Sequence, residues 1–186
     1  MSFTLGGKTA RELGIVMLRE SQRPILPGTV DKTMSIPGRH GAWDFGAELD
    51  ARVFELECAF VTKNRVELQQ RITALAAHLV DSYGRPRKLE LRFDVQPDRY
   101  WIVRYAGRLP VERVAGLGRF TLPLVAFDPF AYGPDRVYET VITQSPFSFT
   151  VQSDGDIRTP PLIVLTNVGS TTLNQIRIVN EYLLEG

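Results

Sequence analysis

The chain has 186 residues, of which 44% are hydrophobic and 23% are charged, and its formal net charge is +1. These values fit one main domain, alone or with a small second module, and exclude a disordered or fibrous protein. No apolar run approaches the roughly 18 residues of a membrane span, and the N-terminus lacks the basic and apolar regions of a signal peptide.

The N-terminal 36 residues predict two strands. The stretches "LGIVMLRES" and "TMSIPG" have strand character, and the Pro-rich "QRPILPG" connects them. The following residues 35–46 read "SIPGRHGAWDFG". This loop gathers basic, acidic and aromatic side chains between glycines, as catalytic loops do. Its candidate functional residues are Pro37, Gly38, Arg39, His40, Gly41, Trp43 and Asp44.

The middle of the chain predicts strands around one helix. In "ARVFELECAFV" the apolar side chains alternate with Glu55 and Glu57, and "KLELRFDV" alternates in the same way through Val95. Between these strands, Asn64 as N-cap and Glu67 three positions later form a capping-box pattern. An apolar stripe then predicts a helix from about Arg65 to Asp81. The stripe consists of Leu68, Ile72, Leu75 and Leu79.

Three further strands follow at intervals of about ten residues, a spacing typical of hairpins. They are "YWIVRYAG", "LPVERVAG" and "GRFTLPLVAF". Pro123 inside the third predicts an edge position or a bulge, because proline cannot donate to a strand ladder. The turn-rich "DPFAYGPD" then indicates a module boundary near residue 133. The net charge changes there from +4 over residues 1–133 to −3 over residues 134–186, a bias too small to indicate nucleic-acid binding.

The sequence contains no catalytic or metal-binding set. His40 has no acidic or cysteine neighbour at a metal-ligand spacing, and His78 lies at the margin of the helix stripe. Cys58 is the only cysteine and shares a face with apolar residues, which predicts a core thiol. We therefore expect no catalytic residue, no metal and no cofactor. The glycines of the 37–44 loop are better explained as bend positions, and its Trp and Arg suit a protein–protein contact.

The order of these features resembles the distal tail protein family of long-tailed bacteriophages. The resemblance covers residues 1–133, and its most specific parts are the Pro-Gly-Arg-x-Gly loop at 37–41 and the segment Asp128-Pro129-Phe130. It implies a mainly β (α+β) fold, an antiparallel β-sandwich with one packed helix. It also implies that residues 1–133 form a homo-hexameric ring that joins the tail tube to the tail-tip or baseplate hub.

The resemblance also implies partners and a place in the virion. The ring would contact the tail tube protein and a tail-tip hub protein, dock receptor-binding proteins and let DNA pass as cargo, after assembly in the host bacterial cytoplasm. Family members often carry a galectin-like β-sandwich next, which residues 134–186 resemble although 53 residues are too few for a full one. Residues 134–186 therefore form either a reduced module or a fragment of a longer one.

Two other functions remain alternatives at this stage. A tail-associated glycan hydrolase would need an acid/base pair, which the sequence does not reveal. A carbohydrate-binding β module could stack sugars on Tyr138 and Phe147 in the C-terminal part. A structural tail protein without enzymatic turnover is the favoured interpretation.

Overall fold

Ten strands and one helix make up the described part of the computed structural model, which comprises residues 2–114, 116–153 and 155–181. In chain order they are β1 (Phe3–Leu5), β2 (Lys8–Thr9), β3 (Ile15–Met17), β4 (Thr29–Met34), β5 (Trp43–Leu49), β6 (Arg52–Val61), α1 (Arg65–Leu79), β7 (Leu89–Phe93), β8 (Gln96–Tyr105), β9 (Glu112–Val114) and β10 (Leu117–Ala126). The mainly β fold with a single helix is therefore confirmed.

Eight of the strands form one curled antiparallel sheet in the order β2-β1-β7-β8-β10-β6-β3, with β9 beside β10. The sheet has two halves that meet where β8 pairs with both β7 and β10. A single hydrophobic core takes side chains from both halves and from the helix. The remaining strands, β4 and β5, pair with each other in a separate two-stranded sheet.

The alternating strand pattern produces the core as predicted. Phe54, Leu56, Cys58 and Phe60 all point inward from β6 and are at most 1% exposed. Their partners lie on β10, which pairs with β6 over the full length of both strands, from Arg52↔Ala126 to Val61↔Leu117. The ladder keeps the inward-facing side chains of both strands side by side, where they join the hydrophobic core. The rings of Phe60 and Phe120 stack across it with their centroids 4.8 Å apart.

The helix begins as its capping pattern predicts. The Asn64 side chain accepts a hydrogen bond from the Glu67 amide (2.9 Å), and the Glu67 carboxylate accepts one from the Lys63 amide (3.0 Å). The Lys63 bond, followed by the contact with Arg71, lowers the pKa of Glu67 below its usual value. Leu68, Leu75 and Leu79 are buried, and Ile72 is half-buried. The apolar stripe therefore packs on the sheet.

Three predictions from the sequence need correction: the end of the helix, the burial of Val95 and the position of Pro123. The helix ends at Leu79 rather than near Asp81, because Val80 is extended (φ −120°) and bridges to Pro86. Val95 is 64% exposed rather than on the inner face, because it lies in the turn between β7 and β8. Pro123 stands in register with Glu55 in a strand between two others. It is tolerated because the pairing between β8 and β10 reaches only Leu124 and Val125.

The chain divides into two compact units, Met1–Arg136 and Val137–Gly186. Between residues 137 and 181 the described residues include no helix or strand, although the sequence favours two strands there. Their side chains are exposed throughout, so this segment has no core of its own that could hold a sheet. The domain assignment of residues 134–186 as a reduced galectin-like module stays a prediction.

Candidate assembly interface

The predicted site residues lie on a hairpin that we call the arm, residues 29–49. It consists of β4, β5 and the turn that joins them. Every residue from 28 to 50 is exposed, including the large hydrophobic ones. An isolated two-stranded hairpin is at best marginally stable in water and gains stability by packing against another surface. The arm is therefore the first place to look for a binding function.

The tip of the arm explains the glycine spacing. The Arg39 amide donates to the Ile36 carbonyl (3.1 Å), which closes a turn over Pro37 and Gly38. Gly38 and Gly41 have φ values of +84° and +81°, a backbone region in which side chains are strained. The glycines thus serve the bends, as the sequence indicated. His40 lies between them and is exposed.

Arg39 and Trp43 form a side-chain contact at the tip. The Arg39 guanidinium lies over the Trp43 ring at 4.0 Å from its centroid, a cation–π arrangement. Trp43 nevertheless remains 48% exposed and lies outside the hydrophobic core of the described residues. The neighbouring Asp44 side chain accepts a hydrogen bond from the Gly46 amide (2.8 Å). Gly46, with φ +93°, belongs to a bulge that gives β5 one extra residue opposite Lys32.

The pairing register separates the arm into two faces. Val30 pairs with Glu48 and Met34 pairs with Trp43, so these side chains share one face, together with Phe45 at the bulge. On that face Val30, Met34 and Trp43 are 49%, 49% and 48% exposed, and Phe45 is 65% exposed. On the other face Thr33, Asp44 and Ala47 are polar or small, and Leu49 is 41% exposed. One face of the arm thus carries four large exposed apolar side chains, and the ion pair of Lys32 and Glu48 lies beside them.

The base of the arm is tied to the body of the first unit. The Asp50 amide donates to the Gly28 carbonyl (2.8 Å), and the Arg52 guanidinium donates to the carbonyls of Pro24 (3.3 Å) and Ile25 (3.2 Å). The same guanidinium lies 5.7 Å from the Trp101 ring, and burial lowers the pKa of Arg52. These contacts hold the two ends of the arm in place, whereas the strands of the arm stay exposed.

All seven predicted residues lie at the tip of the arm or at the start of β5. The described residues include no cluster of three or more side chains that could hold a metal ion. Within the same part of the chain, no helix is long and apolar enough to span a membrane. Cys58 is fully buried, and burial raises the pKa of its thiol to about 12, so it is a core residue and not a nucleophile.

Sequence reasoning missed part of this site. The 37–44 loop drew attention because of its glycines and its Trp, whereas the apolar strip extends along both strands to Val30 and Phe45. Part of the signal was present as the alternation of Trp43 and Phe45, whereas Lys32 interrupts the spacing between Val30 and Met34. It could not be distinguished from an ordinary core strand, because period-two alternation predicts a buried face without saying what buries it.

The sequence matches the phage tail protein RIFT-related domain family over residues 8–126. The match spans more than half of the chain, so the chain belongs to this family of phage tail proteins. It is a structural component of the virion tail and not an enzyme, as the sequence predicted.

A solved structure supports the same assignment at the level of the fold. The chain is similar to the Dit protein of phage SPP1, whose structure is described as a paradigm of the hub adsorption apparatus in phages that infect Gram-positive bacteria. The TM-score is 0.61 at 20% identity, and the match covers 72% of this chain and 52% of that one. The chain thus matches about half of the length of the SPP1 protein. No curated protein sequence matches the chain.

Proposed function

We propose that this chain is the subunit of a homo-hexameric ring that connects the tail tube to the tail-tip or baseplate hub. The observation that carries the proposal is the arm, an exposed hairpin whose large apolar side chains need a partner surface. Exposed apolar patches of this kind mark protein–protein contacts in soluble proteins. The fold similarity to a phage hub protein supports the same function.

In this proposal the residues at 37–44 lie at subunit contacts. The cation–π pair of Arg39 and Trp43 is suited to such a contact, because Trp and Arg are enriched among the residues that dominate binding energy at interfaces. The first unit, which contains the predicted ring-forming region 1–133, builds the ring. The C-terminal segment then docks host-recognition proteins, either as a reduced galectin-like module or as a piece of one.

The ring has further partners in this proposal. Its two flat sides contact the tail tube protein and a tail-tip hub protein, and the genome passes through its opening during ejection. Assembly takes place in the host bacterial cytoplasm before the virion is released. A buried Cys58 as the only cysteine is compatible with such a reducing compartment, because the fold depends on no disulfide.

Particle mass tests the proposal directly. We expect native mass spectrometry and negative-stain electron microscopy of the purified chain to show closed rings of six copies. Since the interface depends on concentration, the measurement should span the low micromolar range. A chain that stays monomeric across this range would overturn the ring proposal and favour a monomeric binding module.

A further inference from the structure

We infer that the loop of residues 23–27 is a contact between the ring and a stacked ring of a different tail protein. Each subunit of that protein would receive Ile25 and Leu26 in an apolar pocket. The inference rests on the proposed ring and names a surface outside the arm. It follows from two adjacent aliphatic side chains that are almost fully exposed on a loop that the first unit holds in place.

The exposure of these two side chains is unusual for this chain. Ile25 is 92% exposed and Leu26 is 69% exposed. In the part of the first unit that the structure describes, no large hydrophobic side chain is more exposed than Ile25. A single exposed aliphatic residue on a protein surface is ordinary, but two in succession form a protruding apolar knob. The folding of the first unit gains nothing from such a knob.

The loop is held by hydrogen bonds to strand β6. Before the loop, the Gln22 amide donates to the Glu55 carbonyl (2.8 Å), and the Glu55 amide donates back to the Gln22 carbonyl (3.2 Å). Within the loop, the Arg52 guanidinium donates to the carbonyls of Pro24 (3.3 Å) and Ile25 (3.2 Å). The backbone that carries the knob is therefore attached to the sheet.

The residues beside the knob restrict the loop further. Pro24 and Pro27 have fixed φ angles, and Pro27 is buried. The Arg23 guanidinium lies over the Phe93 ring at 5.0 Å from its centroid. A loop that is ordered before binding loses little conformational freedom when it binds, so most of the free energy of burying its side chains contributes to affinity. The 23–27 loop is therefore organised for binding.

The size of the knob indicates which kind of partner it fits. Two aliphatic side chains expose far less than the ~800 Å² per partner that a standard stable interface buries. A single copy of this contact would therefore be weak. A ring of six copies presents six knobs at once, and linked contacts can raise avidity by about 10²–10⁴ over one of them. The partner that gains from this repetition is another ring with one pocket per subunit.

Photochemical cross-linking in assembled virions tests the contact. Ile25 is replaced by the photoreactive amino acid p-benzoylphenylalanine, and the adducts formed under ultraviolet light are identified by mass spectrometry. We expect an adduct with a tail protein other than this chain. The control carries the same amino acid in place of Tyr83, which is 84% exposed and outside both the loop and the arm. The control should not form that adduct.

A double variant, Ile25→Asp with Leu26→Asp, provides the second measurement. Purified, it should form rings of normal mass and melt at the wild-type temperature, because both side chains are exposed. In a phage that otherwise lacks this chain, it should produce at least about tenfold fewer complete tails by electron microscopy, since charged side chains cannot enter an apolar pocket. Ile25→Val with Leu26→Val keeps the knob apolar and should retain tail assembly, as should Tyr83→Asp.

The outcomes separate this inference from the ring proposal. An adduct between two copies of this chain, or no adduct at all, would overturn the inference while rings of normal mass leave the ring standing. Complete tails in normal number from the Asp variant would also overturn it. Loss of the rings in that variant alone would place the loop at the contact between subunits instead. A wild-type chain that never forms rings would overturn the ring proposal, and this inference with it.

Discussion

The imidazole Nε2 of His78 lies 2.9 Å from the main-chain carbonyl oxygen of Leu5 and donates a hydrogen bond to it. This buried bond ties the last turn of α1 to β1, which are 73 residues apart in sequence. Because the partner is a carbonyl oxygen, Nε2 carries the proton. His78 is therefore a structural residue that joins two elements.

Replacing His78 with Phe should destabilise the fold by about 1–3 kcal/mol, because a buried carbonyl loses its donor while the volume of the side chain is largely kept. Urea denaturation followed by tryptophan fluorescence measures the change. Gln70→Ala, at an exposed position of the same helix, should shift stability by less than about 0.5 kcal/mol. Equal midpoints for the His78 variant and the wild type would show that the bond contributes nothing.

Leu75→Ala should cost about 2–5 kcal/mol, from lost burial and from the cavity that remains. Leu75 is 1% exposed in the middle of the helix stripe. The matched control is Val95→Ala, at a position that the sequence placed inside but that is 64% exposed in the structure. Denaturation of the two variants side by side compares them. A cost below about 1 kcal/mol for Leu75 would mean that the stripe does not face the core.

Trp43→Ala should weaken assembly more than it weakens the fold. A buried aromatic anchor typically costs at least about 2 kcal/mol per interface when truncated, whereas within its own chain Trp43 is 48% exposed. Particle mass across a dilution series and melting temperature report the two effects separately. Tyr83→Ala removes an exposed aromatic side chain outside the arm and should leave the mass unchanged. An intact ring with a much lower melting temperature would make Trp43 a core residue instead.

Cys58 should react with maleimide only when the chain unfolds, since the thiolate is the nucleophile and burial raises the pKa of the thiol from 9.0 to about 12. Native protein at pH 8 should show negligible labelling over minutes, and urea-unfolded protein should label fully. The raised pKa also means that the folded state retains a proton that the unfolded state loses above pH 9. Stability should therefore decline as the pH rises from about 9 towards 12. Rapid labelling of native protein would contradict the buried position.

The proposed ring should bind duplex DNA too weakly to detect at about 0.15 M salt, where several phosphate contacts would still be visible. A lumen that held phosphates tightly would retard the genome, so we expect a polar lining of mixed or net acidic charge. Fluorescence anisotropy with a labelled duplex is a suitable measurement, repeated at lower salt as a control. Tight and steeply salt-dependent binding would favour a role in gripping DNA.

The elements with strong local patterns were predictable from the sequence. The helix start could be read from Asn64 and Glu67, because a capping box is a contact between near neighbours in the chain. The inward face of β6 could be read from its alternation, since a strand repeats every two residues. β1 and β2 were not predicted, because strands of three and two residues are too short to show a pattern and are held by pairing with β7 and with each other.

The candidate site was also predictable from the sequence only in part. The sequence by itself determined the bends of the 37–41 loop, since only glycine adopts positive φ without strain, and it placed Cys58 in the core by the face that it shares with Phe54 and Phe60. Only the tertiary structure decided that the strip from Val30 to Phe45 stays exposed while the alternating strand β6 is buried. Burial depends on which long-range partner covers a face. β6 pairs with β10 and faces the core, whereas β4 and β5 pair only with each other and leave their apolar face exposed.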